Sequence, residues 1–202
     1  MKQCIVLLAM GISLGIGSQS SWAGIMFAAN LDGPSEAPPN ASPGTGFALI
    51  DFDIIAHTMR VQASFTGLLG TTTAAHIHSA TALPGVGTAG VDTQTPSFSG
   101  FPLGVTSGTM NTTFDMSLVS SYRGAFIAAN GGTPASAELA LYSSLLAGTA
   151  YFNIHTSVVP GGEIRGFLQA VPEPTSVASL AIGAVGLLLG RRFVTRKRMA
   201  SR

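Results

Sequence analysis

The chain has 202 residues, of which 46% are hydrophobic and only 9% charged, with 25 Gly, 11 Pro and a formal net charge of +1 at pH 7. So much apolar residue with so little charge excludes a disordered polymer. The lack of Ala/Glu/Lys/Leu/Arg heptads excludes a coiled coil or helical bundle, and the length suits one ordinary domain.

The chain opens with Lys2, an apolar run through Ile16, and Ser21-Trp22-Ala23. A charged start, an apolar stretch and a small-x-small site predict a secretory signal peptide, residues 1–23, cut after Ala23. Cys4, the only cysteine, leaves with it. It lacks the Leu-x-x-Cys context of a lipoprotein. The exported body therefore relies on packing, or on a metal, rather than on disulfides.

Ile25 to Leu31 reads as a first strand, and Asp32 to Gly46 as a Pro/Gly/Ser/Asn loop. In Phe47 to Ile54, residues Ala48, Ile50, Phe52 and Ile54 share one apolar side, with Leu49, Asp51 and Asp53 opposite. Ala56-His57-Thr58 predicts a hairpin turn with His57 in solvent. Met59, Val61, Ala63 and Phe65 then alternate with Arg60, Gln62 and Ser64. Thr72 to Ser79 is a further strand, Ala80 to Gly104 a long Gly/Pro/Thr connection, and Thr106 to Met116 another strand. Ala135 to Leu146 has helical spacing, stopped by Gly148. Thr149 to Ser157 and Glu163 to Ala170 form a last hairpin, with Pro160-Gly161 suited to a type II turn. Short strands with turn signals between them predict a mostly β body, residues 24–171. The expected form is a single antiparallel β-sandwich, immunoglobulin-like or superoxide-dismutase-like, with one short inserted helix.

Pro172-Glu173-Pro174 then breaks the chain. Residues 175–190 carry no charge, and Arg191-Arg192, Arg196-Lys197-Arg198 and Arg202 follow. Sixteen helical residues span about 24 Å, slightly less than a hydrocarbon core of about 30 Å. A transmembrane helix is expected here, its cationic end in the cytoplasm and the body outside. Without its ends the chain holds three cations, Arg60, Arg123 and Arg165, against eight carboxylates. The basicity of the precursor belongs to the tail, and nucleic-acid binding has no electrostatic support.

The Pro-Glu-Pro motif (Pro172, Glu173, Pro174), the short apolar helix and the Arg cluster from Arg191-Arg192 together resemble the PEP-CTERM sorting tail. That resemblance implies export in a Gram-negative bacterium that makes exopolysaccharide. It also implies transient anchoring in the inner membrane and processing near the motif by an exosortase. The alternative is a permanently membrane-anchored accessory subunit.

Three internal segments carry a second resemblance: Leu31-Asp32-Gly33-Pro34-Ser35-Glu36-Ala37-Pro38-Pro39; Ala74-Ala75-His76-Ile77-His78; and Ala147 to Thr156 followed by Pro160-Gly161-Gly162-Glu163-Ile164-Arg165-Gly166. In this order they resemble the CHRD domain, named after chordin, across about residues 25 to 169. Ser79 departs from the family's usual Gly, and Phe152 from a frequent Val. The resemblance implies a β-sandwich in an exported protein. It brings no settled activity.

Strand parity adds a reading of its own. His76 and His78 share a face with Ile77 opposite, and Tyr151, Asn153 and His155 share a face with Phe152 and Ile154 opposite. If the two strands are neighbours, three imidazoles converge on a zinc or copper site, with nitrogens expected within about 4 Å of one another. The alternative is a structural network in which these rings pin loops. The His-x-His pair is similar to the copper ligands of Cu/Zn superoxide dismutase, but there is no Asp/His set for the zinc half. Arg165 is expected to pair with Glu163 or another carboxylate, with Glu36 as a further partner. No nucleophile elbow, phosphate loop or spaced carboxylate pair is present, so a non-enzymatic surface or matrix module is expected. Its partners would be exopolysaccharide or other envelope proteins.

Overall fold

A computed structural model describes residues 24–172. The signal peptide, the apolar segment at 175–190 and the Arg-rich end lie outside the described residues. Within them, no helix is long and apolar enough to cross a membrane.

Eight strands carry the body: β1 Ile25–Asp32, β2 Thr45–Asp53, β3 Thr58–Thr66, β4 Thr72–His78, β5 Gly108–Asp115, β6 Tyr151–Thr156, β7 Ile164–Phe167 and β8 Gln169–Ala170. Alternation decides their orientation, because one side of each strand must leave water. Antiparallel register lines up Ala48 with Ala63, Ile50 with Val61 and Phe52 with Met59 across β2 and β3. The same stripe continues through Phe27 and Ala29 on β1 and Met110 and Phe114 on β5. All these side chains are buried in one core.

The expected sandwich is realised as one connected, curled antiparallel sheet, in the order β4-β6-β7-β1-β2-β3-β5, with β8 also on β1. The path narrows between β7 and β1, where the register holds a single pair, Asp32 with Arg165. The chain then runs through buried Leu168 into β8, which meets β1 again at Ala28 and Phe27. Gly166 sits at this close crossing. A Cβ there would collide with the carbonyl of Asn30, so only glycine lets the two backbones approach. The two ends of the sheet are drawn together by Phe98 from the β4–β5 connection. Its ring lies 5.9 Å from Phe152 on β6 and 5.2 Å from Phe114 on β5.

Two helices are inserted rather than one: α1 Gly124–Ala129 and α2 Pro134–Leu146. The second is the helix expected from the spacing of Ala135 to Leu146; it starts one residue earlier, with Pro134 in its first turn and Thr133 forming a capping box with Ser136. The first is six residues long and lacks a side-chain cap, so its sequence carries no start signal. His57 sits exposed at the β2–β3 turn, as expected, with a positive φ of 55°, and its Nδ1 also lies 2.7 Å from Oε2 of buried Glu138 on α2. Helix and hairpin are thereby joined.

Glu163, at 0% exposure, holds the loops to the sheet. Ser42 Oγ and Leu69 N donate to its Oε1, both at 2.6 Å. Thr156 Oγ1 and Gly70 N donate to its Oε2 at 2.6 and 3.1 Å. Burial alone would raise this carboxyl, but the donors from Ser42, Thr156, Leu69 and Gly70 outweigh it and hold the group below its ordinary value. Its stabilising contribution is therefore present above the usual carboxylate range and is lost as pH falls below it. Glu163→Gln turns an NH2 toward two of the four donors. We predict a loss of about 2–4 kcal/mol in urea unfolding at pH 7, with a smaller gap between variant and wild type at pH 3.

Candidate metal centre

Parity sets the site. In the β4–β6 register His76 faces Asn153, His78 faces Tyr151 and Ala74 faces His155. In the β6–β7 register Asn153 faces Arg165 and Tyr151 faces Phe167. Ile77, Phe152, Ile154 and Ile164 occupy the opposite side at 0% exposure. The core and the polar cluster are thus two faces of the same three strands.

One ring nitrogen of each of His76, His78 and His155 lies within 4.8 Å of the other two. The ring centroids are 5.2 to 5.8 Å apart. This is looser than the separation expected from the sequence, and a bound ion would draw the nitrogens inward by about 1 Å to reach bonds of about 2.0–2.1 Å. The other nitrogen of each ring is committed to a loop carbonyl: His76 Nε2 to Pro96 O at 2.8 Å, His78 Nδ1 to Ala89 O at 3.1 Å and His155 Nδ1 to Pro160 O at 2.9 Å. A carbonyl only accepts, so each of these nitrogens carries the proton and donates. That fixes the tautomer. His76 Nδ1, His78 Nε2 and His155 Nε2 are left as lone-pair acceptors, buried and without a partner.

Electrostatics keep the rings neutral. Burial pushes His76 and His78 down to about 4, the loop carbonyls opposing, and the neighbouring imidazoles push the same way as burial. Arg123 acts further on His76 and Arg165 on His78. Burial lowers His155 as well. Neutral imidazole is the form that ligates a metal.

A second layer orients the first. Tyr151 stacks on His78 at 4.8 Å and 7°, and the Arg165 guanidinium covers the tyrosine at 4.8 Å. Arg165 does not pair with Glu163, whose carboxylate is taken by the loop donors. It donates to Ser35 O and, at 3.0 Å, to Gly87 O, and its Nε lies 3.8 Å from Glu36 Oε2. Burial pushes Glu36 up to about 7 against the pull of Arg165. Glu36 Oε1 and Asn153 Oδ1 are buried without a partner. Both residues abut Gly162, where an added Cβ would lie 2.5 Å from the Asn153 amide and 2.7 Å from Glu36 Oε1. The turn before it is closed by Gly162 N donating to Val159 O, and the positive φ, 131°, falls on Gly162 rather than on Gly161. It is therefore not the expected type II turn.

Asp92 was not singled out from the sequence, because it lies in a Gly/Pro/Thr stretch with no periodicity. Its amide donates to Ile77 O at 3.0 Å and its carbonyl accepts from Arg123 N at 2.9 Å, which ties the connection to the strand that carries His76 and His78. Its carboxyl is wholly buried. Burial pushes it up to about 8, with the Ser79 hydroxyl and amide opposing.

Residues 27–168 match the family model of the CHRD domain, and residues 170–197 match that of the PEP-CTERM protein-sorting motif. No curated protein and no solved structure matches. The first match spans the sheet from β1 to Leu168 and covers more than half of the chain, so this chain belongs to the CHRD domain family. The second marks it as exported, associated with the envelope and recognised by an exosortase-type processing enzyme.

The raised Asp92 carboxyl gives a pH prediction. A carboxyl whose folded value lies above its unfolded value stabilises the fold at low pH, and that contribution disappears as pH rises from about 4 through about 8. Asp92→Asn should match wild type in urea unfolding at pH 5 to within about 1 kcal/mol. At pH 9 it should be the more stable of the two. An unchanged difference between pH 5 and pH 9 would contradict a protonated Asp92 in the fold.

Proposed function

We propose that this protein is a non-enzymatic extracellular module that captures a transition-metal ion, zinc or copper, on His76, His78 and His155. One observation carries the reading: three neutral imidazoles gather with a ring nitrogen of each within 4.8 Å of the other two, and each ring keeps one buried nitrogen without a partner. Pinning of loops accounts for the nitrogens bonded to Pro96, Ala89 and Pro160. It does not account for the other three, because buried acceptors without a partner lose hydrogen bonds to water and gain none. A cation at their centre satisfies all three at once. The carbonyls then act as the outer partners that set tautomer and ring orientation in metal–histidine sites.

The site favours holding over turnover. Catalytic metals keep an open position for water or substrate, whereas the three free nitrogens here are sealed from solvent. The cellular setting follows from the tail. The body reaches the outside of a Gram-negative cell through the signal peptide. Residues 175–190 hold it briefly in the inner membrane with the Arg-rich end in the cytoplasm, and an exosortase releases it near Pro172-Glu173-Pro174 to the surface or the exopolysaccharide matrix.

Two measurements test this. Elemental analysis of the protein isolated from its native medium should give about one metal ion per chain, falling at least tenfold in His76→Ala and in His155→Ala. Equal content in all three would end the metal reading. Intact mass should show the chain ending near Val171, whereas Glu173→Ala should keep the full tail. A full-length wild-type product would favour the permanently anchored accessory subunit.

A further inference from the structure

We infer that the ion this cluster selects is monovalent copper, bound by the three imidazoles alone. The inference rests on the metal reading above and asks which ion the surroundings accept. Three features of the structure decide it.

The first is charge. The donors are three neutral rings, so the bound ion keeps its full charge inside the protein. Arg165 lies 4.8 Å over the Tyr151 ring that stacks on His78, and the charge of Arg123 acts on His76, so cationic side chains flank the rings. The nearest carboxylate of the second layer, Glu36, is already engaged by Arg165. The cost of taking an ion from water into a low-dielectric interior rises with the square of its charge, so a divalent ion meets about four times the penalty of a monovalent one. Repulsion from the two guanidiniums also doubles for a divalent ion.

The second feature is coordination number. The nitrogens offered are three, and they are sealed from solvent. Zinc completes a tetrahedron with a fourth ligand. Monovalent copper has a filled d shell and accepts three neutral nitrogens in a plane. The third is donor type. Imidazole suits both copper and zinc, while hard cations prefer oxygen. Between zinc and copper, the two ions proposed for this cluster, monovalent copper is the one that answers the first two constraints.

The test uses the exported protein with its ligands intact. Copper(I) is titrated anaerobically against a chromogenic copper(I) chelator, zinc against a zinc-specific dye, and silver(I) serves as a redox-silent monovalent probe. We expect one copper(I) and one silver(I) per chain, competition between them, and no displacement of copper(I) by a hundredfold excess of zinc. X-ray absorption of the copper(I) form should show three nitrogen neighbours and no fourth ligand. Arg123→Glu places a negative charge near His76 on an exposed side chain, so folding is not at stake. It should narrow the preference for copper(I) over zinc by about threefold to tenfold. Displacement of copper(I) by zinc, or a four-coordinate ion, overturns the monovalent assignment and leaves the metal centre standing. Failure of wild type to bind copper(I), silver(I) or zinc any better than His76→Ala and His155→Ala overturns the metal centre itself.

Discussion

The site depends on how each imidazole divides its two nitrogens. A neutral imidazole has one donor and one acceptor. Once Pro96, Ala89 and Pro160 take the donors of His76, His78 and His155, the acceptors have no freedom left. Rotating a ring would break a bond to a loop carbonyl, and protonating one is opposed by burial and by the adjacent rings. Convergence of three lone pairs is thus imposed by the loops that cover the strands rather than by the strands alone. The strands supply position and the loops supply orientation.

Those loops are held by groups that sequence order does not bring together. Glu163 gathers Ser42, Leu69, Gly70 and Thr156 around one carboxylate, which fixes the β1–β2, β3–β4 and β6–β7 connections at a single point. Arg165, two residues later, reaches Ser35 and Gly87 and lies across Tyr151. Arg165 was expected to pair with Glu163 or another carboxylate, with Glu36 as a further partner, and of these it is Glu36 that lies beside it. Glu163 and Arg165 serve different loops because Glu163 sits just ahead of β7, where its side chain meets amides and hydroxyls, whereas Arg165 lies within the strand opposite Asn153. A carboxylate with four donors needs no cation, so the guanidinium is free to orient the aromatic layer under His78.

Much of this was legible in the residues. Period-two alternation gave the faces of β2, β3, β4 and β6, because a half-buried strand has only two sides to choose between. It also put His76 with His78, and Tyr151 with Asn153 and His155. Sequence could not give the pairing of β4 with β6, which lie more than seventy residues apart. The curl of one sheet escaped it for the same reason, since the Phe98 ring that bridges Phe114 and Phe152 comes from a stretch without periodicity. The bond from His57 to Glu138 was hidden by an 81-residue separation, and Asp92 by a composition that signals only a loop. Long-range polar partners leave no periodic trace, whereas burial does.

The same alternation couples the site to the core more tightly than in a protein whose ligands sit on free loops. Ile77 lies between His76 and His78 in sequence, and Ile154 between Asn153 and His155. Each is fully buried on the far face. A one-residue slip of β4 against β6 would carry Ile77 into the polar layer and an imidazole into the hydrocarbon core, with both placements unfavourable at once. The packing that stabilises the body therefore also selects the register that gathers the imidazoles, and no disulfide is needed to define either. Because that register positions the rings in advance, the proposed metal site would not have to order its three uncharged donors on binding.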